Sequence, residues 1–139
     1  MTHFDLQGLF MPEIDNKEWG IETIICREPH ACKIMKLFPK QQVSLHWHIS
    51  KTETFVLIKG GLEIEIINQK GEHSIIHLTT PLSSITIKKN TPHTFYCPEG
   101  QIEDTIFIEA STRDFKDDSY RVYPSGPKGK GLANWRSPN

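Results

Sequence analysis

Little in this chain speaks for a disulfide-stapled, nucleic-acid-binding or membrane-spanning protein. Cysteine is sparse: Cys26, Cys32 and Cys97 form an odd set with no C-x-x-C pair. That excludes a disulfide framework and a thiolate metal site, and leaves ordinary reduced thiols as the expectation. Charge is nearly balanced, with 16 Lys and Arg against 17 Asp and Glu and a net charge of -1. There is thus no electrostatic footprint for nucleic acid or an anionic membrane, and the basic patch Lys128-Gly129-Lys130 is too short to supply one. Long apolar runs are absent, and the segment from Met1 to Leu6 lacks the basic start and apolar core of an export signal. A soluble cytoplasmic protein is expected. Helical periodicity is scarce, and there is neither an internal repeat nor a low-complexity tract.

What is present is alternation at period two. Leu62, Ile64 and Ile66 alternate with Glu63 and Glu65, the pattern of a strand with one apolar and one polar face. Thr54-Phe55-Val56-Leu57-Ile58 is apolar at nearly every position, which predicts a central strand buried on both sides. Gly60-Gly61 between these runs reads as a hairpin turn, and Asn68-Gln69-Lys70-Gly71 as another turn. Further strands are expected over 22–26, 32–38, 74–78, 84–87, 94–96 and 104–109. Eight to ten short strands at this spacing predict an all-β antiparallel sandwich or barrel. With 139 residues the chain is one domain by size: an arm or edge strand over 1–18, a barrel over 19–122 and an irregular tail over 123–139, with Trp135 available to pin the tail to the body.

Chemistry concentrates in Leu45-His46-Trp47-His48-Ile49-Ser50-Lys51-Thr52-Glu53. His46 and His48 stand two apart, so in a strand both imidazoles point to one face and can meet one ion. A first-row ion needs three or four protein ligands. Glu53 supplies a carboxylate, and His93, after Asn90-Thr91-Pro92 at the start of an apolar run, supplies the distant partner. The predicted metal ligands are therefore His46, His48, Glu53 and His93. His3, His30, His73 and His77 fall near a terminus or in turn-like segments and are assigned to solvent. Trp47, between the two ligands, must face away from the metal.

His46-x-His48-x4-Glu53-x6-Gly60, followed about forty residues later by Pro92-His93, resembles the two motifs of the cupin superfamily, whose members are small jelly-roll barrels holding an ion. The second motif departs from the family form: Lys88-Lys89-Asn90 stands where a Pro-x-Gly is usual, with Asn as the next-best residue to Gly for a left-handed turn. Lys17-Glu18-Trp19-Gly20-Ile21-Glu22, Ser44-Leu45-His46-Trp47-His48, Lys51-Thr52-Glu53-Thr54-Phe55, Ile108-Glu109-Ala110-Ser111-Thr112 and Asp117-Asp118-Ser119-Tyr120-Arg121 are similar, in that order, to the mannose-6-phosphate isomerase-like and D-lyxose isomerase-like cupins. The resemblance covers roughly residues 17 to 121.

The resemblance implies a jelly-roll cupin with a divalent ion, one of Mn, Zn, Fe, Co or Ni. It implies aldose-ketose isomerase chemistry on a small-molecule carbohydrate in carbohydrate or surface-polysaccharide biosynthesis. Lys51 and Glu53 are the implied catalytic residues. Lys51 shares the face of Glu53 if the segment is extended, and a base working near neutrality needs a lowered pKa. Arg121, Tyr120 and Phe95 are expected to contact substrate, with Glu109 and Asp118 as weaker candidates. Two other classes use the same ligands: a non-haem iron dioxygenase, and a metal-assisted carbohydrate-binding or sensing module without catalysis. Exposed strand edges commonly pair with a second copy, so a homodimer is expected.

Overall fold

In an extended chain every second side chain lies on one face, so alternation along this sequence builds sheets with one buried side. A computed structural model describes residues 11–128, and no helix occurs among them. In chain order the strands are β1 (Glu13–Lys17), β2 (Gly20–Cys26), β3 (His30–Leu37), β4 (Gln41–Gln42), β5 (Leu45–Trp47), β6 (Glu53–Lys59), β7 (Leu62–Ile67), β8 (His73–Leu78), β9 (Ser84–Ile87), β10 (His93–Tyr96), β11 (Thr105–Thr112), β12 (Tyr120–Tyr123) and β13 (Gly126–Pro127). They form two sheets, one with six strands in the order β1-β2-β3-β11-β6-β9. The other has seven, running β12-β5-β10-β4-β13, with β7 beside β10 and β8 beside β7. Pairing is antiparallel throughout, as in an all-β jelly roll.

The sheets close on a core centred on Phe55, Phe95 and Phe107, whose ring centroids lie 5.2 to 5.5 Å apart in edge-on packing. Leu37, Leu57, Leu62 and Ile64 are among its other members, all wholly buried. Each such side chain contributes about 1.5–3 kcal/mol by leaving water. The inward face of the six-stranded sheet changes character along its strands. At one end β3, β6 and β11 present Leu37, Leu57 and Phe107, and toward the other end Lys33, Glu53 and Glu109. That change puts a charged chamber at one mouth of an apolar barrel. Gly20 permits β2 to lie close on β3, because a Cβ there would come 1.8 Å from the carbonyl oxygen of Lys36.

Several expectations need correction. β6 is buried on one side only: Glu53, Phe55 and Leu57 point inward, whereas Thr54 and Val56 are half-buried and Ile58 is exposed. Gly60, with φ of 82°, turns the chain, but no hairpin follows. β6 pairs with β11 and β9, and β7 with β10 and β8, so the turn carries the chain from one sheet to the other. The Asn68–Gly71 turn does join a paired β7 and β8. The tail is less irregular than expected, since Tyr123 ends β12 and Gly126–Pro127 pairs with β4. His3 and Trp135 lie outside the described residues.

Candidate metal centre

Strand register assembles the site. His46 on β5 stands directly opposite His93 at the start of β10, and paired residues share a face. The ring centroids of His46 lie 4.6 Å from those of His93 and 4.9 Å from those of His48. One ligand nitrogen from each of the three imidazoles falls within 4.8 Å of the others, and all three rings are buried. Glu53, from the facing sheet, points Oε1 to 3.3 Å from His48 Nε2 and 3.0 Å from His93 Nε2. The four residues expected to meet therefore do converge. Asn90 makes the approach to His93 possible: its φ is 62°, the left-handed conformation that Asn tolerates best after Gly, and its N–H donates to the carbonyl of His48 at 2.7 Å.

The outer nitrogens decide the tautomers. Each Nδ1 faces a backbone carbonyl: Ser44 for His46 at 2.7 Å, Asp118 for His48 at 2.5 Å and Thr91 for His93 at 2.8 Å. A carbonyl only accepts, so each Nδ1 carries the proton, and a ring in its neutral, ligating form turns an unprotonated Nε2 inward. His48 Nε2, His93 Nε2 and Glu53 Oε1 are then buried acceptors without a donor. Lone pairs facing lone pairs at 3.0 to 3.3 Å are costly unless a cation lies between them. A donor set of imidazole nitrogens and a carboxylate, with carbonyls fixing the rings from behind, suits a divalent first-row ion.

Electrostatics follow from burial and crowding. Burial and then the neighbouring His93 hold His46 well below the usual imidazole range. Burial would push Glu53 up, but hydrogen bonds from His48 and His93, donated where those rings take up a second proton in place of a metal, and the Lys51 charge bring it well below the ordinary carboxylate value. Burial and then the Glu53 charge push Glu109 up to about 7.

Lys51 does share the inward face with Glu53, as expected, but its environment contradicts the lowered pKa assigned to it. Its Nζ lies 3.5 Å from Glu53, 3.3 Å from Glu109 and 3.2 Å from Asp114. Burial alone would lower it; Glu109, Glu53 and Asp114 outweigh burial and raise it above the ordinary lysine value. Lys51 is thus held as a cation, unsuited to act as a base.

Asp114, which no motif marks, ties this network together. It takes Lys51 and Lys33 at 3.2 Å each and Arg27 at 2.6 Å. Lys33 also reaches Glu22 at 2.8 Å. Lys33, in period-two phase with the apolar Ala31, Met35 and Leu37 on the inner face of β3, was the available signal, since a buried lysine must find an acid.

A cavity of about 490 Å³ opens over the centre, its walls including Trp19, Ser44, Lys51, Glu109, Phe95 and Arg121. Phe95 and Arg121 line it, with Arg121 on β12 in register with His46. Tyr120 does not line it. Its partner in register is Trp47, on which its ring stacks at 5.5 Å on the other side of the sheet. Trp47 thus faces away from the imidazoles, while His30, His73 and His77 are exposed.

No family model matches the sequence, and no curated protein does. Solved structures do match. The capsular polysaccharide assembling protein CapF from Staphylococcus aureus superposes with a TM-score of 0.69 at 16% identity, over 86% of this chain and 34% of that one. Oxalate decarboxylase from Bacillus subtilis gives 0.69 at 18% identity, over 80% and 30%. Oxalate decarboxylase from Lactobacillus farciminis, solved as a formate complex, gives 0.68 at 17%, over 80% and 34%. The chain spans about a third of the length of the chains it matches. These are cupin-fold proteins, and this chain has the cupin fold, with a three-histidine group able to hold a metal ion.

Proposed function

We propose that the protein is a divalent-metal-dependent cupin that interconverts aldose and ketose forms of a sugar or sugar derivative. The observation that carries this reading is the convergence of three imidazoles and one carboxylate beneath an open polar cavity, with His48 Nε2, His93 Nε2 and Glu53 Oε1 buried and without a hydrogen-bond partner. His46, His48, His93 and Glu53 would hold the ion. When bound, it would polarise the carbonyl and adjacent hydroxyl oxygens of an open-chain sugar.

The remaining work falls to this chain's own side chains. Lys51, kept cationic, would donate to a substrate oxygen gaining negative charge. Glu109 lines the cavity beside Lys51, where its carboxylate would take the proton from C2 and return it to C1, while the hydroxyl proton passes from O2 to O1. Arg121 would fix the far end of the substrate, and Phe95 would close the apolar floor. Similarity to a capsular polysaccharide assembling protein supports a place in surface-polysaccharide biosynthesis. Among the described residues β1 pairs only with β2, and a second copy joined along the outer edge of β1 would give the homodimer; sedimentation velocity reads its mass.

The test is a panel of aldoses and ketoses with manganese, zinc, iron, cobalt or nickel added, with oxygen uptake followed in parallel. Sugar interconversion without oxygen consumption is expected. Oxygen consumption would instead assign a ferrous oxygenase, and tight sugar binding without turnover a binding module.

A further inference from the structure

Cys26 and Cys32 come together through an irregularity that sequence spacing hides. Along β2 and β3 the register runs regularly to Ile24 opposite Lys33, both buried, and then shifts so that Cys26 stands opposite Cys32. Without that bulge Ile25 would face Cys32, and Cys26 would face the buried Ala31. One extra residue re-aims the Cys26 side chain, as bulges do. Directly paired residues of antiparallel strands have Cα atoms about 4.5–5.5 Å apart and side chains on the same face. A disulfide needs a Cα separation of about 4.4–6.8 Å.

The surroundings leave both sulfurs approachable. Cys32 alternates with the inward Ala31 and Lys33, and so lies on the outer face of the sheet. Its neighbour on the other side is the small, exposed Ala110 of β11. Both thiols are half-buried, whereas Cys97 is fully buried against the Leu37 carbonyl and the Thr105 hydroxyl.

We propose that Cys26 and Cys32 are a reversible oxidative modification site, forming an intrachain disulfide with small-molecule disulfides of the glutathione type. One cysteine sulfur, as thiolate, attacks the small disulfide and expels one thiol. The second attacks the resulting mixed disulfide and expels the other. The two protein thiols lose two protons and two electrons, and the reagent is reduced to two thiols. The bond closes the short loop 27–31. That loop carries Arg27, which grips Asp114 through both its guanidinium, at 2.6 Å, and its carbonyl, which accepts the Asp114 N–H at 2.9 Å. Oxidation would therefore stiffen the rim that holds the Lys33, Lys51 and Asp114 network, without touching a metal ligand.

The test uses the whole folded protein, first reduced, then treated with oxidised glutathione, quenched in acid, alkylated and digested with trypsin. Cleavage after Arg27 separates the two cysteines, so the expected product is peptide 18–27 linked to peptide 28–33, two hydrogens lighter than the reduced pair and separated by dithiothreitol. Cys97 should be found alkylated. Cys26→Ser should abolish the link and leave Cys32 as a mixed disulfide with glutathione. Separate glutathione adducts on both cysteines of the parent protein, or links to Cys97 or to a second chain, would overturn the proposal.

Discussion

Asp118 holds His48 from behind. Its backbone carbonyl accepts from His48 Nδ1 at 2.5 Å, while its carboxylate accepts the N–H groups of Ile49 and Ser50 at 2.9 and 3.0 Å. The carboxylate thus clamps the turn after β5, and the clamp positions the carbonyl that orients the ring.

Asp118→Ala releases that clamp. Loss of a partner behind a metal-binding histidine typically weakens affinity about 10–100-fold, and we expect about tenfold here, since the carbonyl itself remains. Calorimetric titration of the variant with zinc or manganese reads the change. Affinity equal to that of the parent would remove Asp118 from the positioning of His48.

Acid should act partly through Asp114. Burial raises its pKa, but Lys51 and Lys33 lower it further than burial raises it. A carboxylate with a depressed folded value contributes stability that is fully present above its unfolded value, near 3.9, and is lost as pH falls through the folded value. Thermal melts of the parent should therefore lose stability more steeply below about pH 4 than melts of Asp114→Asn, which should start lower at neutral pH. Parallel curves would show that the network contributes nothing to the acid limb.

Asn90 carries a backbone conformation rather than a chemical group. Asn90→Gly should leave stability almost unchanged, and Asn90→Val should cost about 1–3 kcal/mol, because a branched residue is strained at positive φ. Urea denaturation distinguishes the two, and equal loss in both would shift the explanation to the Asn side chain.

Phe107 joins both sheets at the centre of the core, fully buried against Phe55 and Phe95. Phe107→Ala should destabilise by about 3–5 kcal/mol, measured as a fall in the urea midpoint. A loss below about 1 kcal/mol would mean that the barrel collapses around the gap.

What the sequence discloses here is local periodicity. The pair His46 and His48, the alternation in β7 and the left-handed turn at Asn90 depend on neighbours within a few residues, so all are legible. Lys51 reads as a base because its three acids arrive from Glu53, from β11 and from Asp114 beyond that strand, which only the folded register brings together. Tyr120 reads as a substrate contact because nothing local says that β12 pairs with β5 in the register that sets it on Trp47. Gly60 reads as a hairpin because a turn that changes sheets has the same residues as one that does not. Cys26 and Cys32 read as unrelated because a one-residue bulge has no signature in these side chains.

Metal content tests the account most directly. Purified parent protein, dialysed against a trace of mixed divalent metals and analysed by elemental mass spectrometry, should retain about one ion per chain, as a single set of four converging ligands implies. The His46→Ala/His48→Ala variant, with an unchanged circular dichroism spectrum, should retain none. Equal metal in both proteins, or none in the parent, would contradict the claim that three imidazoles and Glu53 meet in order to hold a cation.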